Sequence, residues 1–370
     1  MRVVIAPDCF GGTLTATEAA EAIAAGWRRG APADELVLRP LADGGPGFVG
    51  VIHAAMGGVL HRATVTGPLG TPVEATWLLN AGVAYIESAD AAGLHLVPAE
   101  RRAQVCEYVT TRGVGELIAA ARDKGAHEII VGLGGSATTD GGSGALTALG
   151  VTGIDDMGSP LLPGALADCV RVDGTADIGR AILIAASDVE NPLLGPHGAA
   201  VTFGPQKGAD PAAVDRLDRA LGTWADAVAK WSGRDVRDTP GAGAAGGLGF
   251  ALLALGAELK SGADIVSGAT NLSASIGWAD LVITGEGSFD WQSLRGKLVT
   301  SVAGIAAARG VPCLALAGRV AVGRRQAAAA GVEAAYSVSD HAGSVEASMA
   351  DPAGTLAALA EHVAGQWGGR

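Results

Sequence analysis

The residues best equipped for chemistry lie in TGEGSFDWQSLRGK, Thr284 to Lys297, where acids, hydroxyls, an arginine and a lysine follow the apolar run LVI. Phosphoryl transfer uses these groups: a carboxylate to take a hydroxyl proton, Mg2+ to bridge phosphates, and cations to offset developing charge. The same composition also describes a solvated surface loop. A second stretch, GLGGSATTDGG from Gly132 to Gly142, holds glycines, hydroxyls and one acid without a basic residue. Its glycines would let the main chain approach phosphate oxygens, Ser136 and Thr138 would donate hydroxyls, and the following helix would offer its positive end. The plainer alternative is a tight strand-to-helix turn capped by Asp140. GxxxxGK[ST] is absent, so a nucleotide would not bind through a Walker A loop.

Three smaller loops have a similar make-up, PLADGGPG with Asp43, SDVENPLLG with Asp188 and Asn191, and GPQKGA with Lys207. A carboxylate at such a place caps a turn or ligates Mg2+, which takes one or two carboxylates plus phosphate oxygens and water. GAGAAGG, Gly241 to Gly247, satisfies GxGxxG but follows RDVRDTP rather than a buried strand. It therefore reads as the end of a mobile surface segment or a helix start, with closure over substrate as the alternative, and an NAD-dependent dehydrogenase is a distant reading. His53, His61, His95, His127 and His197 form no HxxxH or Ser/His/Asp grouping.

The elements that must position these groups have a parallel α/β pattern. Short β-branched runs, glycine-bearing loops and alanine-rich helical stretches recur at VVIAPDCFGGT, IIVGLGGSATTDGG, LVITGEGSFDWQS and LALAGRVAVG. Thr15 and Glu18 fit a capping box before a helix from Ala19 to Trp27 that ends at Arg28, Arg29 and Gly30. VEATWLLNAGVAYIE predicts an antiparallel hairpin turning at Asn80–Gly82, and its interruption of the βα pattern suggests a domain change. A charged helix is expected over Asp210–Lys230, a helix, loop and strand over Asp264–Thr284, and a last helix over Thr355–Ala364.

The 370 residues suggest two domains of about 150 to 200 residues. With 49% hydrophobic and 17% charged residues, and a mean hydropathy of +0.32, the chain can build large cores. A net charge of −12 argues against nucleic acid or an anionic membrane as the main partner. Cys9, Cys106, Cys169 and Cys313 lack metal spacing and read as buried thiols in a reducing cytoplasm. Only Arg2 precedes VVIA, so neither a signal peptide nor a membrane span is expected.

In these blocks the sequence resembles the type I bacterial glycerate kinases. The likeness runs from VVIAPDCFGGTLTATEAAEAI through PLADGGPG, TVTGPLGTPVEA, GVGELI, GLGGSATTDGG, NPLLGPHGAAVTFGPQKGA, GAGAAGGLG and DLVITGEGSFDWQSLRGK to GVPCLALAG. It implies ATP- and Mg2+-dependent phosphorylation of D-glycerate at the 2-hydroxyl by a cytoplasmic monomer or homodimer. It also implies two α/β domains: a flavodoxin-like domain over 71–284 inserted into a smaller one formed by 1–70 and 285–370, with a cleft between them. The roles expected on this basis are Asp290 as base, with Asp188 as alternative base or metal-side carboxylate and Asp140 as a second metal candidate. Lys297 and Lys207 would offset phosphate charge, and Gly134, Gly135, Ser136, Thr138, Gly285 and Glu286 would meet the nucleotide. Arg295, Asp8, Asp43 and Ser288 would meet the acceptor. The chain departs from the family pattern at Cys9 and Gly11, where PDSFKGSLSA has serine and lysine, at Pro46 and Phe48 in the ADGGEGT block, and at Thr139. These departures bear on the acceptor wall and leave another small hydroxy acid, or a catalytically weakened nucleotide-binding homologue, as alternatives.

Overall fold

The computed structural model describes every residue except Gln292, Gly296, Lys297, Gly369 and Arg370. The chain divides into two α/β units. One is built from both chain ends, Met1–Asp43, Gly50–Met56 and Ala263–Arg370; the other, larger unit comprises Gly44–Val49 and Gly57–Gly262.

The chain-end unit starts with β1 (Arg2–Pro7), whose residues Val3 to Ala6 are fully buried, as in a strand covered on both faces. The capping box forms as expected: the Glu18 N–H donates to Thr15 Oγ1 at 3.2 Å, and the Thr15 N–H donates to Glu18 Oε2 at 2.8 Å. It starts the helix Ala16–Gly30, which leads to β2 (Glu35–Leu38). Ile23 and Trp27 of that helix pack with Leu356, Leu359 and Val363 of the last helix, Pro352–Trp367. Full burial of each such side chain contributes about 1.5–3 kcal/mol.

The inserted unit contributes β3 (Val59–Thr66), β4 (Pro72–Asn80), β5 (Val83–Glu87), β6 (Glu128–Gly132), β7 (Val151–Ile154), β8 (Arg171–Gly174), β9 (Ile182–Ala186) and β10 (Glu258–Lys260). Its main sheet has the order β10-β9-β6-β5-β4-β3, parallel from β10 to β5 and antiparallel from β5 to β3. β7 and β8 form a separate antiparallel ribbon. The predicted hairpin is β4–β5, closed by Ala81 and Gly82, both at positive φ, as a two-residue turn of this hand requires. The charged helix runs Pro211–Ser232, capped by Asp210, and its Trp224 is fully buried.

The chain then returns as β11 (Leu281–Phe289), β12 (Cys313–Val320) and β13 (Ala334–Ser337). The five-stranded sheet β13-β12-β11-β1-β2 is parallel throughout. Counted within the unit this is the 2-1-3-4-5 order of flavodoxin-like sheets. The chain-end unit thus carries an all-parallel sheet, while the inserted unit carries the mixed one. β3 pairs with β4 along its whole length, and 263–280 goes with β11 instead of with β10.

No helix among the described residues is long and apolar enough to cross a membrane. All four cysteines are free; Cys106, Cys169 and Cys313 are buried and Cys9 is half-buried.

Candidate active site

In an open parallel sheet the ligand crevice lies beyond the carboxyl ends of the strands, where the strand order reverses. In the chain-end unit that point is between β1 and β11. Asp8 follows β1 directly, its N–H donating to the Gly285 carbonyl at 2.8 Å, and it is half-buried. Glu286 on β11 is 6% exposed, and Asp43, after β2, is exposed. Burial first, then the like charges of Asp43 and Glu286, push the Asp8 carboxyl up to about 7, although the Cys9 N–H donates to its Oδ1 at 2.7 Å. Burial, then the charges of Asp8 and Asp43, push the neighbouring Cys9 thiol up to about 12, so it stays protonated and unreactive.

Further along β11, Ser288 is exposed and donates to Asp290 Oδ2 at 3.4 Å. The half-buried Asp290 donates its N–H to Ser293 Oγ at 3.2 Å. The structure thus brings Asp43 and Glu286 close enough for their charges to act on Asp8, and joins Ser288 to Asp290 by a hydrogen bond. Residues Thr284 to Phe289 are strand, in register with β12 as far as Phe289↔Val320, and are not the loop expected from their glycines. Gly285 is buried there, and a side chain on it would overlap the Leu316 carbonyl. Its glycine therefore serves close strand packing, a use of strand glycine that composition does not distinguish from a turn. Lys297 and the side chain of Arg295 lie outside the described residues; the Arg295 backbone is in the short turn Ser293–Arg295.

In the inserted unit the loop after β6 is tied on both sides. The Leu133 N–H donates to the Ala186 carbonyl, Gly134 to Gly44, Leu94 to Gly135 and Ala137 to Ala92, at 2.8–3.1 Å. Gly135 is exposed, whereas Ser136 and Thr138 turn inward. Between them sits Lys207, 4% exposed, with Nζ donating to the Thr138 carbonyl at 2.6 Å and to Ser136 Oγ at 3.1 Å. Burial lowers its pKa to about 7, against the opposing charge of Asp140.

Asp140 is itself buried. Its Oδ2 accepts from the Thr111 N–H and Oγ1 at 2.8 Å and from the Gly144 N–H at 3.2 Å, and its Oδ1 accepts from Gly142 at 3.1 Å. Burial raises its pKa while these donors pull it down. The amides at the start of the helix Ser143–Ala148 are thus met by the chain's own carboxylate, which is the capping alternative for Asp140. Asp188 is exposed, two residues beyond β9, at the same sheet edge as the loop after its neighbour β6. Among the described residues no three acidic, His or Cys side chains are arranged to hold a metal.

Three features escape sequence reasoning. Gly241–Gly247 is buried, not a mobile surface segment: a side chain on Gly246 would overlap the Thr138 carbonyl, and the Gly246 carbonyl accepts the Gly141 N–H at 3.0 Å. Phe48 is fully buried in the inserted unit, its ring 6.3 Å from that of Tyr85, so this departure is a core residue and not an acceptor wall. Glu87, at the carboxyl end of β5, is buried and accepts from the Gly47 N–H at 2.9 Å. An acid closing the run VAYIE is the one sequence signal for it.

Residues 3–368 match the model of the glycerate kinase family. A glycerate 2-kinase of Escherichia coli (strain K12) is 44% identical over 354 residues, covering 94% of this chain and 92% of that protein. A glycerate kinase of Bacillus subtilis (strain 168) is 44% identical over 346 residues, covering 91% and 90%. A crystal structure from Salmonella typhimurium LT2, provisionally named glycerate kinase 2, superposes with a TM-score of 0.81 at 39% identity, covering 99% of this chain and 98% of that one.

Proposed function

Because the chain belongs to the glycerate kinase family and is a kinase, we propose that it transfers the γ-phosphoryl group of ATP to the 2-hydroxyl of D-glycerate, giving 2-phosphoglycerate and ADP. The 2-position follows the name of the Escherichia coli relative. The observation that carries the reading is the pair of strand-end sites: poised acids where the order of one sheet reverses, and a glycine loop at the carboxyl edge of the other.

In this reading Asp290, oriented by Ser288, takes the proton of the attacking hydroxyl. Asp8, held up to about 7, carries a proton part of the time near neutrality and can donate to the glycerate carboxylate, which an ionised acid would repel. Burial sets that proton affinity first, and the charges of Asp43 and Glu286 add to it. Arg295 and Lys297 are assigned to the glycerate carboxylate and the phosphate charge. Gly134 and Gly135 face the phosphates, with Ser136 and Thr138 shaping the loop around Lys207, whose placement favours a supporting role over direct contact. Asp188 fits Mg2+ as a single exposed carboxylate, better than Asp140 with its four internal donors; bound there, the ion would supply positive charge to offset that of the phosphates. Asp188 is also the second candidate for the base. We place the enzyme in the cytoplasm, as a monomer or homodimer.

The test is ADP release with ATP, Mg2+ and D-glycerate, with the phosphate position read by phosphorus NMR. A 2-phosphoglycerate signal supports the proposal. A 3-phosphate product would overturn the regiochemistry, and turnover with another hydroxy acid alone would overturn the acceptor.

A further inference from the structure

Glu87 has no part in the reaction just described, yet it is one of the few carboxylates that are almost completely buried, at 6% exposure. Its Oε2 accepts the Gly47 N–H at 2.9 Å, and the N–H groups of Phe48 and Val49 also stabilise its charge. Burial and the nearby Asp90 push its pKa up to about 7 against those donors. The residue opposite it on β6 is Gly132, and on β4 Trp77 pairs with its neighbour Ile86, so Asp90 is the charged side chain that faces it. Lys207 faces the phosphate loop itself.

The carboxylate holds a strap, Gly44–Val49. At the strap's start the Gly44 carbonyl accepts the Gly134 N–H at 3.0 Å. The two chains run so close that a side chain on Gly132 would overlap the Gly44 carbonyl, and one on Gly134 would overlap the Gly45 Cα. A Cβ on Gly135 would stand 2.8 Å from Cγ of Pro46, so the Pro46 ring flanks the exposed part of the loop. Phe48 anchors the strap's other end in the core.

We propose that Glu87 is a positioning residue for nucleotide use: it gathers the amides of Gly47, Phe48 and Val49, and so holds the glycines of the strap against Gly134 and Gly135. This rests on the reading of the Gly134–Thr138 loop as a phosphate site. Loss of the clamp lets the strap shift, and a displacement of about 1 Å at a binding element is enough to cost one to two orders of magnitude.

The experiment uses the full chain with Glu87→Gln and, independently, Gly47→Ala. Gly47 has φ +95° with nothing within 4 Å of an added Cβ, so alanine there strains the strap without a clash and leaves Glu87 intact. Both variants are expected to raise the KM for ATP about ten-fold, to change the KM for glycerate less than about two-fold, and to speed hydrogen exchange of the 44–49 amides. In the wild type the KM for ATP should rise from about pH 8 to about pH 6, with a smaller rise in Glu87→Gln. A third variant, Gly135→Ala, tests the loop directly. If it raises the KM for ATP while Glu87→Gln and Gly47→Ala do not, the positioning role is overturned and the phosphate loop stands. If none of the three moves that KM, the phosphate-loop reading falls too. Should Glu87→Gln fail to fold, Gly47→Ala and the wild-type pH series still decide the question.

Discussion

The loop after β6 and the strand ends at β1 and β11 both join glycines to carboxylates, but they treat charge in opposite ways. In the first, Lys207 and Asp140 are buried, and the hydrogen bonds that Lys207 donates and Asp140 accepts are made with groups of the chain itself. In the second, Asp43 and Glu286 each repel Asp8, and Asp43 and Ser288 reach solvent. A closed network fixes a shape, whereas an open, self-repelling cluster keeps proton affinity adjustable. The contrast separates support from chemistry, and it can be broken from either side.

The largest effect on stability should come from opening the closed network. Lys207→Met leaves the buried Ser136 hydroxyl and Thr138 carbonyl without the amine that donates to them and should lower stability to urea by about 2 kcal/mol; with Asp140→Asn added, the combined loss should be less than additive. Additive losses would mean the two charges are not coupled. Next, Asp290→Asn should lower kcat by about two orders of magnitude at unchanged stability, and near-normal turnover would remove it as base.

The pH dependence of stability distinguishes the regions by sign. Asp8 and Glu87 are raised to about 7, so the folded chain holds extra protons between about pH 4 and 7, and their contribution falls as pH rises through that window. Lys207 is lowered to about 7, so the unfolded chain binds the extra proton between about pH 7 and 10, and its contribution grows there. Urea unfolding of Asp8→Asn should therefore show a shallower acid-side slope, and Lys207→Met a shallower alkaline-side slope. The smallest effect is expected for Gly11→Lys, which restores the family's cation. Gly11 has φ +43° and open space around it, so the cost should be about 1 kcal/mol of backbone strain. The KM for glycerate reads whether a cation there helps.

Local signals were legible where local physics decides. The Thr15/Glu18 box and the hairpin turn within Asn80–Gly82 depend on neighbours in sequence, and each forms where expected. Glycine misled because a turn and a close approach look alike in composition. TGEGSF is a strand whose glycine lies under Leu316, and GAGAAGG is wedged against Thr138. The positions of Asp8 and Asp290 at strand ends are readable from βα alternation, whereas Asp43 and Asp188 read only as loop acids. The burial of Lys207, Asp140 and Glu87 is not readable, because it is set by segments distant in sequence, such as the Thr138 carbonyl that meets Lys207 from 69 residues off.

The strap has a consequence for how the chain is made. Segment 44–49 belongs with residues 57–262, although the stretches on either side of it do not. A fragment starting at residue 57 would lack Gly44 and Gly47, leaving Gly134 without its carbonyl and Glu87 without its Gly47 amide. A chain emerging amino-terminus first supplies the strap before β5 and β6 exist, so the inserted unit has all its parts by residue 262. The other unit must wait for β11, whose Leu281 pairs with Val3, and holds its first strand without that neighbour until then. Synthesis order and domain order thus run opposite to each other: the unit that begins first is completed last.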